Sequence, residues 1–292
     1  MAKIISGTDI SAQVRQEVSV IVGQLKARGT TPGLGVILVG ENPASVSYVT
    51  GKKRACEEVG MYAEIMKLPV ETAQESLLDI VSDLNADPRF HGILVQLPLP
   101  AQIDEKTIIN AISPSKDVDG LHPVNAGKLL AGEPGFVPAT PLGVQQLLLR
   151  SGYDPEGKHV VICGRSNLVG KPLAALLVQK AKGANATVTI CHTRTRDIGQ
   201  YTRQADILVA AMGVPRAITG DMVREGTVVI DVGVNRIEDA TRKSGFRLVG
   251  DVDFEAVSQK AEAITPVPGG VGPMTIAMLL MNTLRAAGHF PA

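Results

Sequence analysis

Short apolar runs alternate with stretches of helical periodicity along nearly the whole chain, and this alternation limits the fold more than any other feature. GLGVILVG (33–40), residues 62–68 and HGILVQLPLP (91–100) read as strands. Helical stretches at 42–60, 75–85 and 104–112 separate and follow them, the first with Asn42 as N-cap, Pro43 at its first position and Gly60 at its end. The stretch SPSKDVDGLHPVNAG (113–127) has too much Pro and Gly to read as regular structure. Near residue 140 the pattern restarts. Helices at 141–151 and 170–182 interleave with strands HVVICG (159–164), TVTIC (187–191), DILVAAMG (206–213) and TVVIDVG (227–233). A weaker strand, FRLVGDV (246–252), precedes a last helix from Met274 to about Ala287. Runs that are apolar throughout suit sheets covered on both faces, and strand–helix–strand order predicts parallel pairing. The fold class expected is therefore α/β, as two α/β domains, 1–140 and 141–273, with the helix at 274–292 returning to complete the first.

Composition removes several classes of function. The 292 residues carry 29 Lys+Arg against 29 Asp+Glu and are 3% aromatic. A nucleic-acid binder needs surplus basic charge or a stacking platform, so no nucleic-acid partner is expected. There is no apolar run of membrane-spanning length and no signal-peptide core near Met1, so no membrane partner and a cytoplasmic location are expected. Cys56, Cys163 and Cys191 lack CxxC spacing and read as reduced thiols. His91, His122, His159, His192 and His289 show no metal-ligand spacing, so no metal is expected.

Four places carry chemistry. HVVICGRSNLVGKP (159–172) puts Gly164 at a strand end and Gly170 at a helix start, where a phosphate meets free backbone N–H groups and a helix dipole. It is neither a P-loop nor G-x-G-x-x-G, and a tight turn with no ligand fits the spacing too. The next strand ends CHTRTR (191–196). Arg194 and Arg196 at its tip, with Arg165 in the glycine turn, suit the 2′-phosphate of NADP, although a solvated basic turn with Asp197 just beyond reads the same way. In SVSYVTGKKRA (45–55), Tyr48 and Lys52 are four apart and share a helical face. Burial and the adjacent Lys53 and Arg54 would lower the Lys52 pKa towards that of a general base; an ordinary basic surface patch is the alternative. Gln96 stands at the carboxyl end of a strand, where α/β sheets present ligand groups. Asp117 and Asp119 in KDVDG are each either a ligand carboxylate or the acceptor of an Asx-turn.

Taken together these segments resemble the bifunctional methylenetetrahydrofolate dehydrogenase/cyclohydrolase family of one-carbon metabolism. The resemblance covers essentially the whole chain, through SYVTGKKRACEEVG (47–60), GILVQLPLP (92–100), KDVDGLHPVNAGKL (116–129), PATPLGV (138–144), GRSNLVGKP (164–172), DVGVNR (231–236), GDVDF (250–254) and TPVPGGVGPMT (265–275). It implies NADP-dependent oxidation of 5,10-methylenetetrahydrofolate and hydrolysis of the methenyl product to 10-formyltetrahydrofolate, a supply route for purine biosynthesis. It also implies a folate-binding catalytic first domain, a Rossmann-like NADP-binding second domain with a parallel sheet, an active-site cleft between them, and a homodimer. The implied catalytic set is Lys52, Tyr48, Gln96 and Asp119: Lys52 does the acid–base work, Tyr48 stacks on folate, Gln96 orients the lysine and Asp119 holds the pterin. Gly164, Arg165, Ser166, Thr193, Arg194 and Val234 bind the cofactor. Leu97 and the loop residues Pro268, Gly269 and Gly270 complete the substrate side, and the loop 265–273 is a candidate for a cis peptide. The competing readings are a two-domain NADP dehydrogenase for a hydroxy or amino acid, a dehydrogenase-only relative and a non-catalytic folate-binding protein.

Overall fold

The computed structural model describes residues 1–242 and 245–288; His289 and the rest of the expected C-terminal segment lie outside them. The chain begins with β1 (Lys3–Ile4) and α1 (Gly7–Ala27). Next come β2 (Gly33–Val39), α2 (Pro43–Glu58), β3 (Tyr62–Leu68), α3 (Gln74–Ala86), β4 (Gly92–Val95), α4 (Glu105–Ala111) and α5 (Pro123–Ala131). The remainder is α6 (Ala139–Arg150), β5 (His159–Cys163), α7 (Gly170–Leu177), β6 (Thr187–Cys191), α8 (Ile198–Thr202), β7 (Ile207–Ala210), β8 (Val228–Asp231), β9 (Asn235–Glu238), β10 (Phe246–Val249), α9 (Phe254–Val257), β11 (Ala263–Ile264) and α10 (Val271–Ala286). These divide into two compact units, Ala12–Ala139 with Ile276–Ala292, and Met1–Ser11 with Thr140–Thr275.

In the unit built on 12–139, three parallel strands run in the order β3-β2-β4. All seven residues of β2 are buried, as expected of a central strand covered on both faces. Asn42 Oδ1 accepts from the Ser45 N–H at 3.3 Å to start α2, and Gly60 takes φ +84 just beyond its end. On α3, Leu77, Val81 and Leu84 form one buried stripe that packs with Ile37, Phe90, Ile93 and Ile108. Each such side chain contributes about 1.5–3 kcal/mol by leaving water. Among the described residues four helices go beyond the sequence reading: α1, α5 and, in the other unit, the short α8 and α9. α1 carries an apolar stripe, Ile10, Val14, Val18 and Val22, at four-residue spacing. α5 starts inside the Pro- and Gly-rich stretch, because Pro123 sits at its first turn and His122 Nδ1 accepts from the Val124 N–H at 3.0 Å. A proline costs nothing where the N–H would be free in any case.

The other unit holds a six-stranded parallel sheet in the order β1-β11-β8-β7-β5-β6. From β5 the chain steps outward to β6 and then returns to the far side of β5 as β7. This reversal is the topological switch of a Rossmann-like sheet. Residues 1–11, assigned above to the first domain, belong here instead. β1 pairs with β11, and the Ile5 N–H donates to Ile264 O at 2.9 Å. The strand expected at 246–252 also differs: β10 pairs antiparallel with β9 alone. Both strands mix half-buried and exposed residues, so they cannot fill a sheet buried on both faces. All three cysteines are free and buried; burial pushes the Cys56 and Cys163 thiols up to about 12, which leaves them un-ionised and inert. Among the described residues no helix is long and apolar enough to cross a membrane.

Candidate active site

Lys52 lies on α2, one turn after Tyr48. The Gln96 N–H donates to Ile37 O at 2.9 Å, which extends the β4 ladder by one residue and brings Gln96 out at the carboxyl end of the sheet. There Lys52 Nζ donates to Gln96 Oε1 at 3.0 Å, and Gln96 Nε2 donates to Leu97 O at 2.7 Å. With both ends of the amide engaged, its oxygen is held towards the amine. The Leu97–Pro98 peptide is cis. Tyr48 is 55% exposed, so its ring is open to a ligand.

Burial lowers the Lys52 pKa, and the Asp119 carboxylate opposes that shift. The sequence reading gave part of this effect to Lys53 and Arg54. That part is corrected: Lys53 pairs with Glu57 at 3.7 Å and Arg54 with Glu58 at 2.9 Å, each one turn along α2. Desolvation of the ammonium accounts for the shift.

The two aspartates of KDVDG separate cleanly. Asp117 is buried and accepts from the Leu121 N–H (3.1 Å), the His122 N–H (2.9 Å) and Asn125 Nδ2 (2.8 Å), so it closes the turn into α5. Asp119 is half-buried and acts electrostatically on Lys52. The loop is braced from α10, where the buried Asn282 Nδ2 donates to Val118 O at 2.8 Å and Val137 O at 2.9 Å. Sequence reasoning missed Asn282. The available signal was a lone asparagine within the apolar run MLLMNTL (278–284).

The second group of expected residues lies in the other unit. Gly164 follows β5 with φ +142, and a Cβ there would fall 2.1 Å from Ala211 O, just past β7. A Cβ on Gly170 would fall 2.1 Å from Gly164 O. These two glycines therefore let the turn close onto the switch point, while Arg165 and Ser166 stay exposed. Ser166 Oγ accepts from the Val169 N–H at 3.1 Å, shaping the entry to α7. At the tip of β6, Thr193, Arg194 and Arg196 are exposed, and Asp197 takes a left-handed φ of +43. His192 folds this tip: its N–H donates to Thr195 Oγ1 at 2.9 Å and its Nδ1 accepts from the Arg194 N–H at 3.1 Å. Val234, past β8, is 50% exposed. Pro268, Gly269 and Gly270 lie in a loop whose Val267–Pro268 peptide is cis. Gly269 O accepts from the Thr8 N–H at 3.0 Å, and a Cβ on Gly7 would fall 1.7 Å from Gly270 O. Among the described residues no three His, Cys, Asp or Glu gather as a metal site.

Each unit thus carries its own set. Lys52, Gln96 and Leu97 are joined by hydrogen bonds and Asp119 by charge in one; Gly164–Ser166, Thr193, Arg194 and Val234 stand at strand ends in the other.

Comparison with known proteins places these sets in context. The family model described as tetrahydrofolate dehydrogenase/cyclohydrolase, catalytic domain, matches residues 5–119, and the NAD(P)-binding domain of the same family matches 138–290. Bifunctional protein FolD of Dehalococcoides mccartyi (strain CBDB1) is 60% identical over 287 residues, covering 98% of this chain and 97% of that protein. The FolD of Syntrophus aciditrophicus is 58% identical over 286 residues, again covering 98% and 97%. The crystal structure of the FolD methylenetetrahydrofolate dehydrogenase/cyclohydrolase from Campylobacter jejuni is 48% identical with a TM-score of 0.93 and 99% of each chain covered. The Trypanosoma brucei methylenetetrahydrofolate dehydrogenase-cyclohydrolase, complexed with NADP cofactor and inhibitor, is 40% identical with a TM-score of 0.92, covering 98% of this chain and 97% of that one.

Proposed function

The chain belongs to the tetrahydrofolate dehydrogenase/cyclohydrolase family, and from that premise we propose how its residues divide the work. It is a bifunctional enzyme: it oxidises 5,10-methylenetetrahydrofolate to the 5,10-methenyl cation with NADP and hydrolyses that cation to 10-formyltetrahydrofolate.

Lys52 is the proposed acid–base group of the hydrolysis. The observation that carries this reading is its amine, desolvated and held by a neutral amide at 3.0 Å. A carboxylate in place of Gln96 would hold the lysine charged, whereas an amide orients it without doing so. The neutral amine takes a proton as water adds to the one-carbon centre. The resulting ammonium then returns a proton to the ring nitrogen as the C–N bond breaks, and the adduct's hydroxyl proton leaves to solvent as the formyl C=O forms. Asp119 supports the charged form, so the proton is kept for this second step, and it is also the proposed partner of the pterin. Tyr48 offers its exposed ring for stacking on folate. Leu97, Pro268, Gly269 and Gly270 are the proposed remaining substrate contacts.

The residues of the glycine turn fit a dinucleotide. Gly164, Arg165 and Ser166 lead into the N-terminus of α7, and Thr193 and Arg194 bring a hydroxyl and a guanidinium suited to a phosphate. Val234 adds apolar surface. NADP, when bound, supplies the hydride acceptor of the oxidation. The chain's own task in that half is alignment, because hydride transfer needs reacting atoms roughly 3–3.5 Å apart and no proton carrier.

The test is Lys52→Met in a coupled assay. Hydrolysis of methenyltetrahydrofolate is expected to fall by a factor of at least ~10² while the protein stays folded. Hydrolysis at the wild-type rate would remove Lys52 from the mechanism. A homodimer and a cytoplasmic location complete the proposal; light scattering that returned the mass of a single chain would exclude the first.

A further inference from the structure

In two motifs, DVGVNR (231–236) and GDVDF (250–254), only Val234 has a role in the chemistry above. They bring two buried carboxylates together at the carboxyl end of the six-stranded sheet. Asp231 is 4% exposed and Asp251 fully buried. Asp231 Oδ1 accepts from the Gly233 N–H and the Asp251 N–H, both at 2.9 Å, and its Oδ2 accepts from the Val252 N–H at 2.9 Å. Asp251 Oδ2 accepts from the Met212 N–H at 2.5 Å and the Gly213 N–H at 2.9 Å, and its Oδ1 accepts from Asn235 Nδ2 at 2.8 Å.

The fit is reciprocal. A Cβ on Gly250 would fall 1.8 Å from Asp231 Oδ2, and one on Gly233 would fall 2.2 Å from Asp251 Oδ1. Each carboxylate thus sits where the other motif's glycine has no side chain. Neither carboxylate has a cationic side chain among its hydrogen-bond donors, and burial holds the Asp231 carboxyl up at about 6. Burying two acids side by side is costly, so the donors that hold them must be fixed in place.

The six bonds join three segments: the one after β7, the one after β8 and the return from β10. The first two carry the exposed Val214 (44%) and Val234 (50%) beside the switch point. We infer that Asp231 and Asp251 are positioning residues for NADP: by tying the 212–214 and 232–235 segments together from below, they set the surface on which the cofactor is held for hydride transfer. This rests on the cofactor reading above and adds to it the residues that shape the surface.

Asp251→Ala leaves three donors without an acceptor and loosens both segments. Asp251→Asn keeps one oxygen for the Met212 and Gly213 N–H groups, and Asn235 can turn its amide to accept from the new one. NADPH titration is expected to give a Kd raised at least ~10-fold in Asp251→Ala and largely restored in Asp251→Asn, a loss equivalent to about 1.4 kcal/mol. Cyclohydrolase activity on supplied methenyltetrahydrofolate is expected to stay within about two-fold of wild type, since that step uses no NADP. A folded Asp251→Ala protein with wild-type Kd overturns the inference. Equal loss of both activities also overturns it, because the role would then be general to the fold. If Asp251→Ala does not fold, Asn235→Ala decides: a few-fold rise in Kd supports the inference and an unchanged Kd overturns it. A wild-type protein that failed to bind NADPH would instead sink the cofactor reading itself.

Discussion

Lys52 and Asp119 act against each other in a way that can be measured. Burial lowers the lysine pKa and Asp119 raises it. If the neutral amine starts the hydrolysis, the rate climbs with pH as Lys52 loses its proton. Removing the carboxylate takes away the opposing effect, so Asp119→Asn is expected to move this rising limb to lower pH. The folate KM will rise in the same variant, so kcat against pH is the quantity to follow; a limb that stays in place or moves to higher pH contradicts the coupling. At this scale the sequence went only partway. The helical spacing of Tyr48 and Lys52 was legible, because i to i+4 is local geometry. Which of Asp117 and Asp119 closes the turn was not, since both lie within three residues of Gly120 and the donors that separate them are brought by the fold. The cause of the Lys52 shift was half right: burial was named, but Glu57 and Glu58, at the same i to i+4 spacing from Lys53 and Arg54, were overlooked although equally local.

At the scale of elements, the strand–turn–helix from β5 to α7 depends on close backbone contact. A Cβ on Gly170 would lie 2.1 Å from Gly164 O and 2.9 Å from the Arg165 Cα. Both neighbours are main chain and cannot swing aside. Gly170→Ala is therefore expected to cost about 1–3 kcal/mol, as overpacked cores do, and to weaken NADPH binding by shifting the turn. A urea melt and an NADPH titration check the two halves; an unaltered melt would show that the turn has room. The longer strands of both sheets were readable because their residues are largely apolar; the two-residue β1 and β11 were not, being too short to show a pattern. The β9–β10 ribbon was not, because half-exposed strands carry a weaker pattern and nothing local says which partner they take. α5 was hidden by a proline that reads as a breaker in the middle of a helix and as a starter at its first turn.

At the scale of the molecule, the first residues of the chain belong to the sheet formed by its second half. Ile5 is 1% exposed and its N–H donates to Ile264 O. Ile5→Ala is expected to lower stability by about 2–5 kcal/mol, as other large-to-small core changes do. Faster hydrogen exchange should appear at the β11 amides, far away in sequence; protection there equal to wild type would show that β1 is dispensable. The sequence by itself determined the α/β class, the two places where the strand pattern begins, and the order of motifs that marks the family, because hydrophobic period and short motifs are local properties of a chain. Only the tertiary structure decided where residues 1–11 pair, which aspartate faces Lys52, and that two acids from separate motifs meet under the strand ends. Those outcomes depend on burial and on hydrogen-bond donors supplied from residues distant in sequence, which no local pattern records.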